Sequence, residues 1–254
     1  MLGSLFGVWR APDRGVAFHW GAAAIWALVI LVTAAFARAL QVAVSDSVGG
    51  IAFTVAVIVI VCFAGIASLA AVLDDERPGR ERRVVTLVIC AALYAWLTLS
   101  LRSAPEEALH FVQYGVLGVL VFRALSVRIG DVSVYVSALA ICTLFGIGEE
   151  VWQWILPSRF FGFKDIGLNA VGAALALAAI AFGFEPAYIG RTVARRGTVV
   201  CVRILIALAV AAALITLATP ALVNEPAKLW WSLAFWACAL ALIVVDRVVA
   251  RSRV

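Results

Sequence analysis

About 20 apolar residues are needed for a helix to cross a bilayer, and runs of that kind recur eight times along this chain. They cover residues 16–37, 49–73, 84–101, 109–125, 132–156, 166–184, 198–219 and 229–246. The runs are rich in Leu, Ala and Val and lack the alternation of a barrel strand. Each is therefore expected to be a helix that satisfies its own backbone hydrogen bonds. Turn or charge signals separate them: Asp-Asp-Glu-Arg-Pro-Gly at 74–79, Ser-Ala-Pro at 103–105, Pro157, Glu185-Pro186, and Pro220 through Pro226. The expected fold is all-α, a polytopic transmembrane bundle of about eight spans.

Composition excludes the main alternatives. Of 254 residues, 65% are hydrophobic and only 14% charged, and the mean hydropathy is +1.08. Soluble domains average about 45–50% apolar and about 25% charged residues, so a water-soluble enzyme, a disordered chain and a secreted disulfide scaffold do not fit. The five cysteines, Cys62, Cys90, Cys142, Cys201 and Cys238, all fall in apolar runs without a C-x-x-C spacing. They read as small core hydrophobes. The net charge of +5 comes from arginines in short loops, which is a topology signal rather than a nucleic-acid surface.

With the N-terminus placed in the cytoplasm, fourteen basic residues fall in inside segments and five in outside ones. Both termini are accordingly expected in the cytoplasm, and the localisation is a multi-pass cytoplasmic (inner) membrane protein. Ala37-Arg38-Ala39 mimics a signal-peptide cleavage site, but the preceding run exceeds the ~7–15 residues of such a core. It is read as a retained span. The arginines at 80–83 are read as retention charge for topology, with contact to anionic lipid as an alternative.

Polar residues inside the apolar runs carry the functional signal. Three stretches stand out: Pro105 to Phe111, Gly146 to Gln153, and Arg159 to Asn169. The charge count puts all three at one depth near the outer face. Glu106 and His110, Glu149 and Gln153, and Asp165 and Asn169 are four residues apart, and each pair can share a helix face. Glu149 and Glu150 lie about 10 Å inside their span, by a rise of ~1.5 Å per residue. Two acids at that depth need partners or a water-filled pocket. His110, Arg159, Lys164, Gln153 and Asn169 are the available partners.

This constellation resembles the VanZ-like membrane protein family. The resemblance is carried by Pro105-Glu106-x-x-x-His110-Phe111-x-x-Tyr114-Gly115-x-Leu117-Gly118, then by Gly148-Glu149-Glu150-x-x-Gln153, Pro157-x-Arg159, and Asp165-x-x-x-Asn169-x-x-Gly172. It covers residues 84–184, so the chain divides into a two-span hairpin (1–83), a four-span VanZ-like core (84–184) and a second hairpin (185–254). Family members often have an acid at the Glu149 position, which makes Glu150 the better match to the family glutamate. Glu107 stands where members usually carry lysine. The resemblance implies a link to resistance to teicoplanin, a lipoglycopeptide that acts outside the cytoplasmic membrane.

The expected site is a polar pocket open to the outer side. His110 and Glu150 would form an acid–base pair, with Glu106, Glu149, Gln153, Arg159, Asp165 and Asn169 as ligand-binding residues. Its expected partner is a membrane lipid or lipid-linked glycan. The alternative is a scaffold or accessory subunit that docks another membrane protein through its outer spans, with Glu150, His110 and Asn169 clasping three helices. Walker, H-E-x-x-H and G-x-S-x-G motifs are absent from the sequence, so no cofactor is expected. One imidazole and two carboxylates, His110, Glu150 and Asp165, have the chemistry to hold a divalent ion, but no second histidine supports a metal there.

Overall fold

The computed structural model describes residues 10–48, 51–101, 108–155 and 161–222. These residues form seven helices, each long and apolar enough to span a membrane. They are α1 (Val16–Val48), α2 (Ile51–Leu73), α3 (Arg80–Ser100), α4 (Ala108–Ser126), α5 (Ser133–Ile155), α6 (Phe163–Ala178) and α7 (Arg195–Leu222). A six-residue π-helical segment, Ala179–Phe184, continues α6. The described residues contain no strand, only one isolated bridge between Asp131 and Gly190. The eighth apolar run, 229–246, lies outside them.

Helix boundaries follow the local chemistry. Pro78 and Gly79 end the α2–α3 turn, and Gly79 takes the left-handed conformation (φ 80°) that glycine adopts without a Cβ penalty. Asp131 accepts the Ser133 N–H at 2.9 Å and so caps the first turn of α5. Its other oxygen accepts the Ala194 N–H at 3.2 Å, which ties the start of α7 to the start of α5.

The outer surface is that of a protein solvated by hydrocarbon. Ile25, Phe36, Ile66 and Trp96 are 63–68% exposed, an arrangement unfavourable in water. The core lies around α4 and α5, which bury half or more of their spans. Phe111, Tyr114, Leu117, Val121 and Phe122 of α4 are all buried. A Cβ on Gly172 of α6 would lie 3.0 Å from the Phe111 Cα and carbonyl oxygen, so α4 and α6 meet backbone to backbone. Small residues permit such an approach in membranes. Tyr94 of α3 closes the junction by donating its hydroxyl to the Gly172 carbonyl at 2.5 Å.

Two polar ties fix the outlying helices. Trp26 Nε1 donates to the Gln113 carbonyl at 2.9 Å, and Gln113 Nε2 donates to Thr33 Oγ1 at 2.8 Å. These bonds attach α1 to α4. At the arginine-rich end, Arg83 is only 1% exposed. Its Nη1 donates to Asp75 at 2.7 Å and its Nη2 to the Arg77 carbonyl at 3.1 Å. Arg77 also bonds Asp75 and reaches the carbonyls of Phe184 and Glu185 at 3.0 and 2.9 Å. Hydrogen bonding from Arg77, and then from Arg83, holds the Asp75 carboxyl below the usual carboxylate range. Arg77 thus joins the α2–α3 turn to the end of the π-helical segment while Arg83 braces the turn, a structural use beyond the topology signal read from the sequence.

Candidate functional site

The polar stretches converge where α4 begins, α5 ends and α6 begins, at the end of the bundle away from the Arg77–Arg83 junction. Glu149 and Glu150 lie in the last two turns of α5. Both are 0% exposed, as is Asn169, and Gln153 is 2% exposed. Leaving such acids unmatched inside a bundle costs several kcal/mol, on the order of the penalty for a buried ion.

The structure matches them with neutral donors. Tyr114 donates its hydroxyl to Glu149 Oε2 at 2.6 Å, and Asn169 Nδ2 donates to the same oxygen at 3.2 Å. Gln153, one turn along α5, donates to Glu149 Oε1 at 3.2 Å and to Glu150 Oε1 at 3.3 Å. The Gly162 N–H donates to Glu150 Oε2 at 2.8 Å, so this acid anchors the residue that precedes α6. His110 Nδ1 lies 3.9 Å from Glu149 Oε1. Glu149 therefore contacts α4, α5 and α6 together, and Glu150 joins α5 to the entry of α6.

Among the described residues, two polar atoms in this cluster make no hydrogen bond. His110 Nδ1 and Asn169 Oδ1 are buried without a hydrogen-bond partner. Around the cluster, Trp152 and Trp154 are 40% and 51% exposed, Lys164 is exposed, and Phe161 and Asp165 are half-buried. Glu106 and Arg159 lie outside the described residues. Among the described residues, no group of three His, Cys, Asp or Glu side chains is arranged to hold a metal ion.

Of the residues expected at the site, His110, Glu149, Glu150, Gln153 and Asn169 come together. Lys164 and Asp165 stand on the first turn of α6, next to Gly162. Two participants escape a reading by residue type. The Tyr114 ring looks like core, and only its place in the polar pattern hints at the hydroxyl. Gly162 contributes a backbone N–H, which has no signature in the sequence.

The described chain is thus a multi-pass membrane helix bundle with a closed carboxyl–amide–imidazole cluster near one end. It belongs to the VanZ/LLP1 family, whose sequence model matches residues 20–184. The match begins within α1 and ends with the π-helical segment. Nothing among curated proteins or solved structures matches the chain.

Proposed function

We propose that this VanZ-like protein binds or modifies an envelope lipid or lipid-linked glycan at the His110–Glu150 end of the bundle, and through it contributes to teicoplanin tolerance. The positive-inside count would put this end on the outer side of the cytoplasmic membrane, with both termini inside. One observation carries the reading. His110 Nδ1, 3.9 Å from Glu149 Oε1, and Asn169 Oδ1 are buried without a hydrogen bond among the described residues, beside two fully buried acids. An unmet buried polar atom costs about 1–3 kcal/mol, and a polar ligand group would match both.

In this proposal His110 and Glu150 contact or protonate the headgroup, while Glu106, Glu149, Gln153, Asp165 and Asn169 orient it. Arg159 and Lys164 attract its negative charge. Trp152 and Trp154, exposed at the same end, together with Phe160 and Phe161, hold the adjoining acyl chain or ring at the interface. A second reading has one observation in its favour: Glu149 is already matched to donors on three helices, as a clasp would be. The chain would then be a scaffold that docks a membrane protein through its outer spans.

Substitution at His110 and Glu150 separates the two. The ligand site predicts that His110→Ala and Glu150→Gln keep normal membrane levels and melting, yet lower the teicoplanin tolerance of expressing cells severalfold. Unchanged tolerance with both variants well folded would end the site reading, and loss of the folded protein would favour the clasp.

A further inference from the structure

A second polar feature lies at the opposite end. A cavity of about 1050 Å³ opens between the α2–α3 turn, the first turns of α5 and the π-helical end of α6. It is amphipathic. Arg77, Arg82, Arg83 and Arg191 line it together with apolar residues such as Val136, Leu139, Leu177 and Phe182. Val136 and Phe182 are 48% and 62% exposed, so the apolar wall continues onto the surface that faces hydrocarbon.

The charged side chains that line this cavity are mostly basic. Arg77 and Arg83 share Asp75, and Arg82 pairs with Glu185. Arg191 is exposed and pairs with no acid among the described residues. Four guanidiniums and one carboxylate, Glu185, thus line the cavity, while Asp74, Asp75, Glu76 and Glu81 stand around the adjoining α2–α3 turn.

The backbone here is also specialised. The π-helical segment Ala179–Phe184 forms part of the cavity wall and ends at Glu185, which adopts the left-handed conformation (φ 45°). Such a conformation is costly for a residue with a Cβ and persists only where its surroundings hold it. Arg77 supplies that hold through the Phe184 and Glu185 carbonyls, and Arg82 through the Glu185 carboxylate. π-Helical insertions of this kind are frequent at functional sites.

We infer that this cavity is a binding site for an anionic phospholipid. The phosphate meets Arg82 and Arg191 at the rim, and an acyl chain follows the Val136–Phe182 wall into the bilayer. Basic recesses between membrane helices recognise anionic headgroups in this way. The volume is just above the roughly 300–1,000 Å³ typical of small-molecule sites, enough for a headgroup and the start of a chain. The inference is independent of the proposed site at the His110 end.

Titration of the delipidated full-length protein in detergent, followed by native mass spectrometry, tests it. The probes are dioleoylphosphatidylglycerol, dioleoylphosphatidylcholine and soluble glycerol phosphate. The His110→Ala background keeps the opposite end from contributing. One phosphatidylglycerol is expected to bind in preference to phosphatidylcholine. Arg191→Gln should weaken it about fivefold and Arg82→Gln with Arg191→Gln about 25-fold, from the usual contribution of an arginine near an anionic surface. Arg191 has no ion pair among the described residues, so that single variant keeps the test valid if the double variant melts. Equal binding of the two lipids would overturn the inference, as would unchanged binding in folded Arg191→Gln. Glycerol phosphate competing as strongly as the lipid would also overturn it, by showing a site for a soluble anion.

Discussion

Glu149→Leu is expected to remove most of the folded protein, whereas Glu149→Gln retains it with a lower melting temperature. The carboxyl is 0% exposed. Tyr114 and Asn169 both donate to its Oε2, and leucine offers neither an acceptor. Two orphaned buried donors cost roughly 2–6 kcal/mol together, a large part of the ~5–15 kcal/mol that holds a typical domain folded. Gln153 is spared, because Glu150 also accepts its amide. Glutamine in place of Glu149 keeps one oxygen, so the expected cost falls to about 1–2 kcal/mol. Adding Tyr114→Phe to Glu149→Leu should recover part of the loss, since it removes one of the two orphans. Thermal unfolding in detergent, read by size-exclusion profile, measures all three. A Glu149→Leu protein that melts within a few degrees of wild type would show that the cluster does not hold the helices.

Gly172→Val should be equally damaging for a different reason. The added side chain would begin 3.0 Å from backbone atoms of Phe111, and backbone cannot swing aside as a side-chain tip does. Relief requires α4 and α6 to separate, which also draws Asn169, one turn earlier on α6, away from Glu149. Overpacking typically costs about 1–3 kcal/mol. Gly172→Ala is expected in that range and Gly172→Val beyond it. At Gly167, in the same helix, an added Cβ would meet none of the described residues within 4 Å. Gly167→Ala should therefore be neutral or stabilising by up to about 1 kcal/mol, through helix propensity alone. Equal melting temperatures for the Gly167 and Gly172 alanine variants would contradict the backbone contact.

Span positions are legible because membrane insertion is written in single-residue hydropathy. The apolar run at 109–125 appears as Ala108–Ser126, and that at 132–156 as Ser133–Ile155. Hydropathy gives less for α1, which continues from the expected 37 to Val48. A helix runs on past the bilayer wherever propensity permits, and Ala-Leu-Gln-Val-Ala favours it. The polar cluster is legible in its parts, since glutamate, histidine and asparagine inside apolar runs are costly enough to need partners. Its wiring is less so. The Gly162 N–H is the same in every peptide unit, and Tyr114 reads as an aromatic like Phe111. Nor does an arginine in a basic loop declare whether it is solvated, like exposed Arg82, or enclosed, like Arg83. Composition counts the two alike, and only packing separates them.

The proposed ligand of the cluster around His110 and Glu150 is a lipid or lipid-linked glycan. Native mass spectrometry of gently extracted wild type beside His110→Ala and Arg191→Gln tests it most directly. A lipid-sized adduct is expected that the wild type and Arg191→Gln retain and that well-folded His110→Ala lacks. The same adducts on wild type and His110→Ala, or none on either with a common partner protein on both, would contradict it and make the chain a scaffold.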